Sequence, residues 1–116
     1  MLRKRHSRAD AAARASQAGI FAALGDETRL LLVRRLCPGR PYSISQLTEG
    51  SKLTRQAVTK HLRVLERAGI VHSVRSGRES LFEFDPKPLE DIRKYVDRVS
   101  EEWDGALFRL REFVDD

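Results

Sequence analysis

The sequence predicts a mostly helical α+β domain, with four helices followed by one β-hairpin and a long fifth helix, and three observations carry that expectation. Apolar residues recur at helical spacing in five separate segments, each bounded by capping or breaking residues. One stretch only, residues 70–84, carries β-forming residues on either side of a turn, at Ser76-Gly77. At 116 residues the chain has room for a single domain with one modest core. Residues 1–9 read as a basic, flexible N-terminus and residues 10–116 as the domain, with its last helix over about residues 88–114.

The first helix, expected over residues 10–24, rests on an alanine-rich start capped by Ser7 or Asp10. An apolar stripe of Ile20, Phe21 and Leu24 follows before Gly25 ends it. Asp26 caps the second, whose Leu30, Leu31, Val33 and Leu36 run at helical spacing until Pro38 and Gly39 stop them. After a loop from Cys37 to Tyr42, Ser43 and Gln46 have the spacing of a capping box, which opens a short third helix with Ile44 and Leu47 inward. Thr54 caps the fourth, which ends at Ala68 where Gly69 supplies a left-handed residue. Val58, Leu62 and Leu65 are its buried stripe, and Arg55, Gln56, Thr59, Lys60, Arg63 and Arg67 occupy the other side. Strands are expected at Ile70–Arg75 and Ser80–Phe84, with Arg75 and Arg78 flanking the hairpin tip. From Pro88 onward, Leu89, Ile92, Val96, Val99, Trp103, Ala106, Leu110 and Phe113 alternate in threes and fours. This is a heptad seam too narrow to be satisfied without a partner.

The net charge of +5 is unevenly placed. Residues 34–78 hold ten basic and two acidic side chains, whereas residues 79–116 hold six basic and twelve acidic. A polyanion fits the basic block, though the acidic tail is also able to neutralise it as a solvated face. No apolar run approaches the roughly 20 residues that cross a bilayer, and the basic N-terminus is not followed by the apolar core of a secretory signal. A cytoplasmic protein is expected, in agreement with a lone cysteine, Cys37. No carboxylate pair, nucleophile-base set or phosphate loop falls on adjacent elements, so catalysis is not expected, nor is a cofactor.

A short helix, a tight polar turn from Glu49 to Leu53, a helix with a basic polar face and a hairpin stand in the order of a winged helix-turn-helix. A recognition helix entering the major groove presents its first residues to base edges. Arg55 suits guanine, Gln56 suits adenine, and Thr59 offers a hydroxyl and a methyl. Lys52, Thr54 and Lys60 are placed for phosphates, Arg63 extends the same face, and Arg75 and Arg78 reach flanking phosphates or the minor groove. The expected partners are double-stranded operator DNA and a second copy of the chain, with no membrane.

Three stretches carry a family resemblance: Phe21-Ala-Ala-Leu-Gly-Asp-Glu-Thr-Arg-Leu, then Ile44-Ser-Gln-Leu, then Leu53-Thr-Arg-Gln-Ala-Val-Thr-Lys-His-Leu-Arg-Val-Leu-Glu-Arg-Ala-Gly-Ile-Val. Over about residues 17–85 the chain resembles the ArsR/SmtB family of bacterial winged-helix repressors. The resemblance implies a dimer joined through the first and last helices, with Phe21, Ile92, Val96, Val99, Trp103 and Leu110 at the interface, and release of operator DNA on effector binding. It implies base-contacting positions at Thr54, Arg55, Gln56, Thr59 and Lys60. The family's metal ligands are missing: the third helix has no cysteine, the last has no histidine, and His6, His61, His72 and Cys37 lie on different elements. His61 reads as a half-buried packing residue or phosphate contact, and Cys37 as a small buried hydrophobe. Two rivals share the fold. One is a metal- or thiol-responsive repressor, with Arg34, Arg35 and Arg40 near Cys37. The other is a protein-interaction module working through the seam.

Overall fold

The computed structural model describes residues 16–115. The expected start of the first helix, its caps at Ser7 or Asp10, the basic N-terminus over residues 1–9 and His6 lie outside them. Within them the order is helix α1, described over residues 16–24, α2 (Glu27–Leu36), β1 (Tyr42–Ser43), α3 (Ile44–Thr48), α4 (Arg55–Arg67), β2 (Val71–Ser76), β3 (Glu79–Phe84) and α5 (Lys87–Asp115).

The caps are those the sequence specifies. The Asp26 carboxylate accepts from the Arg29 backbone N–H at 3.0 Å and opens α2. Ser43 and Gln46 form the reciprocal box of α3: Ser43 Oγ accepts from the Gln46 N–H at 3.1 Å, and Gln46 Oε1 accepts from the Ser43 N–H at 2.9 Å. Two of the backbone donors that every helix start leaves open are thereby satisfied. α4 closes on Gly69, whose φ of 76° is the left-handed conformation that a side chain disfavours.

The sheet has one strand more than expected. β3 lies in the middle, antiparallel to β2 on one side and to β1 on the other, with Tyr42 opposite Phe82 and Ser43 opposite Leu81. β1 hides inside the expected loop because the extended backbone of Ser43 serves two purposes, ending the strand and capping α3. The hairpin register pairs Ser76 with Glu79, so its two-residue turn is Gly77-Arg78, one position later than Ser76-Gly77. Gly77 supplies the positive φ of 62° that such a turn demands.

Leu36, Leu47, Val58, Leu62, Leu65, Ile70 and Val71 are fully buried and join α2, α3, α4 and β2. Truncating a residue such as Leu62 to alanine in such a core costs about 2–5 kcal/mol. The same core takes Ile20 and Ala23 from α1 and Ile92 from α5. Ile92 is only 8% exposed and therefore belongs to the protomer's own core, with little surface left for the partner contact expected of it. α1 and α5 also meet through Phe21 and Tyr95, whose rings pack edge to face with centroids 6.0 Å apart. Cys37 is exposed at the end of α2, not buried. Past Val99, α5 has left the core: Trp103 is 65% and Phe113 80% exposed, and the helix continues through Gly105 to Asp115.

Candidate nucleic-acid interface

The orientation of α4 follows from its buried stripe. With Val58, Leu62 and Leu65 against the core, the residues between them face outward, and Thr54 fixes where the helix begins by accepting from the Ala57 N–H at 3.1 Å. Arg55, Gln56, Thr59, Lys60 and Arg63 line one shallow depression on this face, with no acidic residue among them. The single acid of the helix, Glu66, lies in its last turn.

The side chains are not equally free. Arg55 leans toward α3 and donates to Ser45 Oγ at 3.0 Å. Thr59 donates its hydroxyl proton to the Arg55 carbonyl at 2.8 Å, which leaves its oxygen able to accept and its methyl group in place. Arg78, in the hairpin turn, shares a cleft with Ser43, Ser45, Arg55, Glu79 and Ser80. The wing tip and the start of α4, two separate groups in the sequence, therefore meet at Arg55. Arg75 lies on β2 and folds over the turn, donating Nε–H to the Gly77 carbonyl at 3.4 Å. Lys52 is exposed but stands apart from the α4 depression and lines a different cavity, against α2. Thr54 is exposed at the cap.

Two residues that position this face escape sequence reasoning. Ser45 anchors Arg55 from ten residues away, and nothing in its local pattern marks it. Arg29 ties three helices together: its guanidinium donates to the Ala23 carbonyl at 2.6 Å and the Ala22 carbonyl at 3.3 Å, closing α1, and to His61 Nδ1 at 3.3 Å on α4. Since a guanidinium only donates, Nδ1 is the acceptor in this contact. Asp26 Oδ2, 3.8 Å from the same nitrogen, completes the cluster. The Arg29 backbone N–H, aided by the nearby guanidinium, holds the Asp26 carboxyl below the usual carboxylate range. His61 is thus a helix-packing residue and not a free phosphate ligand.

The wing is fastened similarly. His72 on β2 donates Nε2–H to Asp85 Oδ2 at 2.8 Å, and Asp85 Oδ1 accepts from the Lys87 N–H at 3.0 Å at the start of α5. These bonds, the one from Lys87 foremost, lower the Asp85 pKa. Among the described residues no group of three His, Cys, Asp or Glu side chains is arranged to hold a metal ion, and no helix is long and apolar enough to cross a membrane.

Comparison with known proteins agrees with this geometry. A helix-turn-helix domain family matches residues 24–74. The chain is 40% identical over 81 residues to an uncharacterized HTH-type transcriptional regulator of Bacillus subtilis, covering 65% of this chain and 88% of that one. It is 33% identical over 93 residues to an HTH-type transcriptional regulator of Mycobacterium tuberculosis, covering 80% and 83%. Among solved structures, an ArsR-like transcriptional regulator from Rhodococcus sp. RHA1 superposes with a TM-score of 0.76 at 35% identity, covering 86% of this chain and 93% of that one. With the capped recognition helix, the wing and these relatives together, the chain belongs to the ArsR-like family of winged helix-turn-helix transcriptional regulators, which are DNA-binding proteins.

Proposed function

We propose that this protein is a cytoplasmic repressor that binds operator DNA as a homodimer, by recognition alone and without catalysis. The observation that carries the reading is the depression on the outer face of α4, lined by Arg55, Gln56, Thr59, Lys60 and Arg63 with no acid among them, beside the wing. Gln56, exposed and near the start of the helix, is the principal base reader. Arg55 and Thr59 read beside it, with Ser45 steering Arg55. Lys52, Thr54, Lys60 and Arg63 take phosphates, and Arg75 and Arg78 extend the contact along the backbone from the wing.

The second copy docks on the surface that one protomer leaves open. Phe21, Val96, Trp103, Leu110 and Phe113 are exposed, and Val99 is half-buried. Pairing α1 and α5 across a two-fold axis covers the seam and sets two recognition helices about one DNA turn, ~34 Å, apart.

Selection from a random duplex pool with the purified protein tests the reading. It is expected to yield two inverted half-sites, bound with an affinity that falls steeply as salt rises. Failure to shift any duplex at low ionic strength sinks it, and weak binding indifferent to salt transfers the function to protein contacts through the seam.

A further inference from the structure

A second cavity lies outside the α4 face, between α2, the end of α3 and the turn that leads into α4. Its volume, about 630 Å³, falls within the ~300–1,000 Å³ usual for small-molecule sites. Leu31, Leu32, Leu47 and Leu53 line it with hydrocarbon, and Leu31, at 56% exposed, is a large apolar side chain that no other described residue covers fully. Its cationic edge consists of Arg34, Arg35 and Lys52, and no acidic residue lines it.

Those cations differ in availability. Arg35 is spent on the fold: it donates to the Leu47 and Gln46 carbonyls at 3.0 and 3.2 Å and stacks over the Tyr42 ring. Arg34 and Lys52 are exposed, and among the described residues neither is in an ion pair. Ser51 Oγ accepts from the Leu53 N–H at 3.0 Å, which leaves its own proton to donate, and Thr28 adds a second hydroxyl. An apolar floor with two uncommitted cations and two hydroxyls at its edge complements a molecule with a hydrocarbon body and a single anionic head.

We propose that this cavity binds an apolar monocarboxylate and that its occupation releases DNA. The carboxylate sits between Arg34 and Lys52, and the hydrocarbon chain lies on Leu31 and Leu53. Two consequences follow for the interface. Lys52 cannot serve the carboxylate and a DNA phosphate together, and Leu53 immediately precedes Thr54, so an occupant wedged against the turn displaces the point at which α4 begins. The release step rests on the function proposed above; the binding step does not.

The test is a ¹H–¹⁵N NMR titration of the full chain with decanoate below its micelle threshold, with decan-1-ol and decyltrimethylammonium as charge controls. Saturable shifts are expected at the amides of Leu31, Leu47 and residues 50–53, at least tenfold tighter for decanoate than for either control. Leu31→Gln and Arg34→Gln, both on exposed α2 positions outside the DNA-contacting set, should each weaken decanoate binding tenfold or more while leaving operator affinity unchanged. Decanoate at about ten times its wild-type Kd should lower operator affinity roughly tenfold in the wild type and no more than about twofold in either variant. Shifts confined to the exposed seam of α5, equal affinity for decan-1-ol, or the same amides shifting on dilution without ligand would overturn the site. Saturable binding that leaves operator affinity unchanged would overturn the release step. Should pool selection yield no operator, the titration still decides the binding step by itself.

Discussion

At the scale of single residues, the proposed reading of the α4 face assigns some side chains to base edges and others to phosphates, and substitutions separate the two. Gln56→Ala removes a paired donor and acceptor at one base pair, so discrimination there should fall by about 1–3 kcal/mol with little change at other positions. Lys60→Ala should instead weaken all duplexes alike and reduce the slope of log affinity against log salt by about one. Competition binding against single-base operator variants at two salt concentrations separates the two outcomes. Asp26 carries a pH prediction. Its folded carboxyl titrates below the ordinary aspartate range because the Arg29 N–H and guanidinium favour the charged form. Its stabilisation is therefore complete above that range and is lost as pH falls through the depressed value. Asp26→Asn should flatten the acid limb of a stability-against-pH curve, measured by urea unfolding, and leave the neutral region without that slope. An unaltered acid limb would place the dependence elsewhere, with Asp85 the next group to examine.

At the scale of elements, caps decide where functional side chains point. Thr54→Ala leaves the Ala57 N–H without its partner and should cost about 1 kcal/mol in chemical denaturation. Because the first turn also presents Arg55 and Gln56, operator affinity should fall by more than stability does. Gly105 makes the opposite case: it sits within α5, and an added methyl would meet only Arg109 Nη1 at 3.4 Å, the end of a flexible side chain. Gly105→Ala should raise stability by about 1 kcal/mol, read as an upward shift of the unfolding midpoint. The helices from α2 to α5 were legible in the sequence to within a residue or two because cap and stop are local signals, as Ser43 with Gln46 and Thr54 with Gly69 demonstrate. β1 was not legible, since two residues carry no alternation and pair only because β3 passes beside them.

At the scale of the whole molecule, nothing among the described residues covers the outer half of α5. Trp103 and Phe113 lie on the outer part of the seam, and Leu107, Phe108 and Val114 widen the exposed apolar surface beyond it. Trp103→Glu should convert the protein to a monomer in sedimentation equilibrium while the helix-turn-helix core stays folded, and operator affinity should collapse because two half-sites are no longer read together. A Trp103→Glu protein that remains dimeric would move the interface off this seam. Ile92 shows why periodicity does not locate an interface: the same repeat that runs out to Phe113 begins inside the core, and only the point at which α5 leaves α1 separates the two uses.

By itself the sequence determined the order of the helices, the hairpin, the inward stripe of α4 and the polar identity of its outer face, because capping, periodicity and charge act over a few residues. Only the tertiary structure decided that Arg55 is held by Ser45, that Arg29 and His61 lock α4 to the first two helices, that Ile92 is core while Trp103 is not, and that Leu31, Arg34 and Lys52 share a cavity. Those are contacts between elements distant in the chain. Which side chains meet there depends on how close-packed helices cross, and no local pattern carries that information.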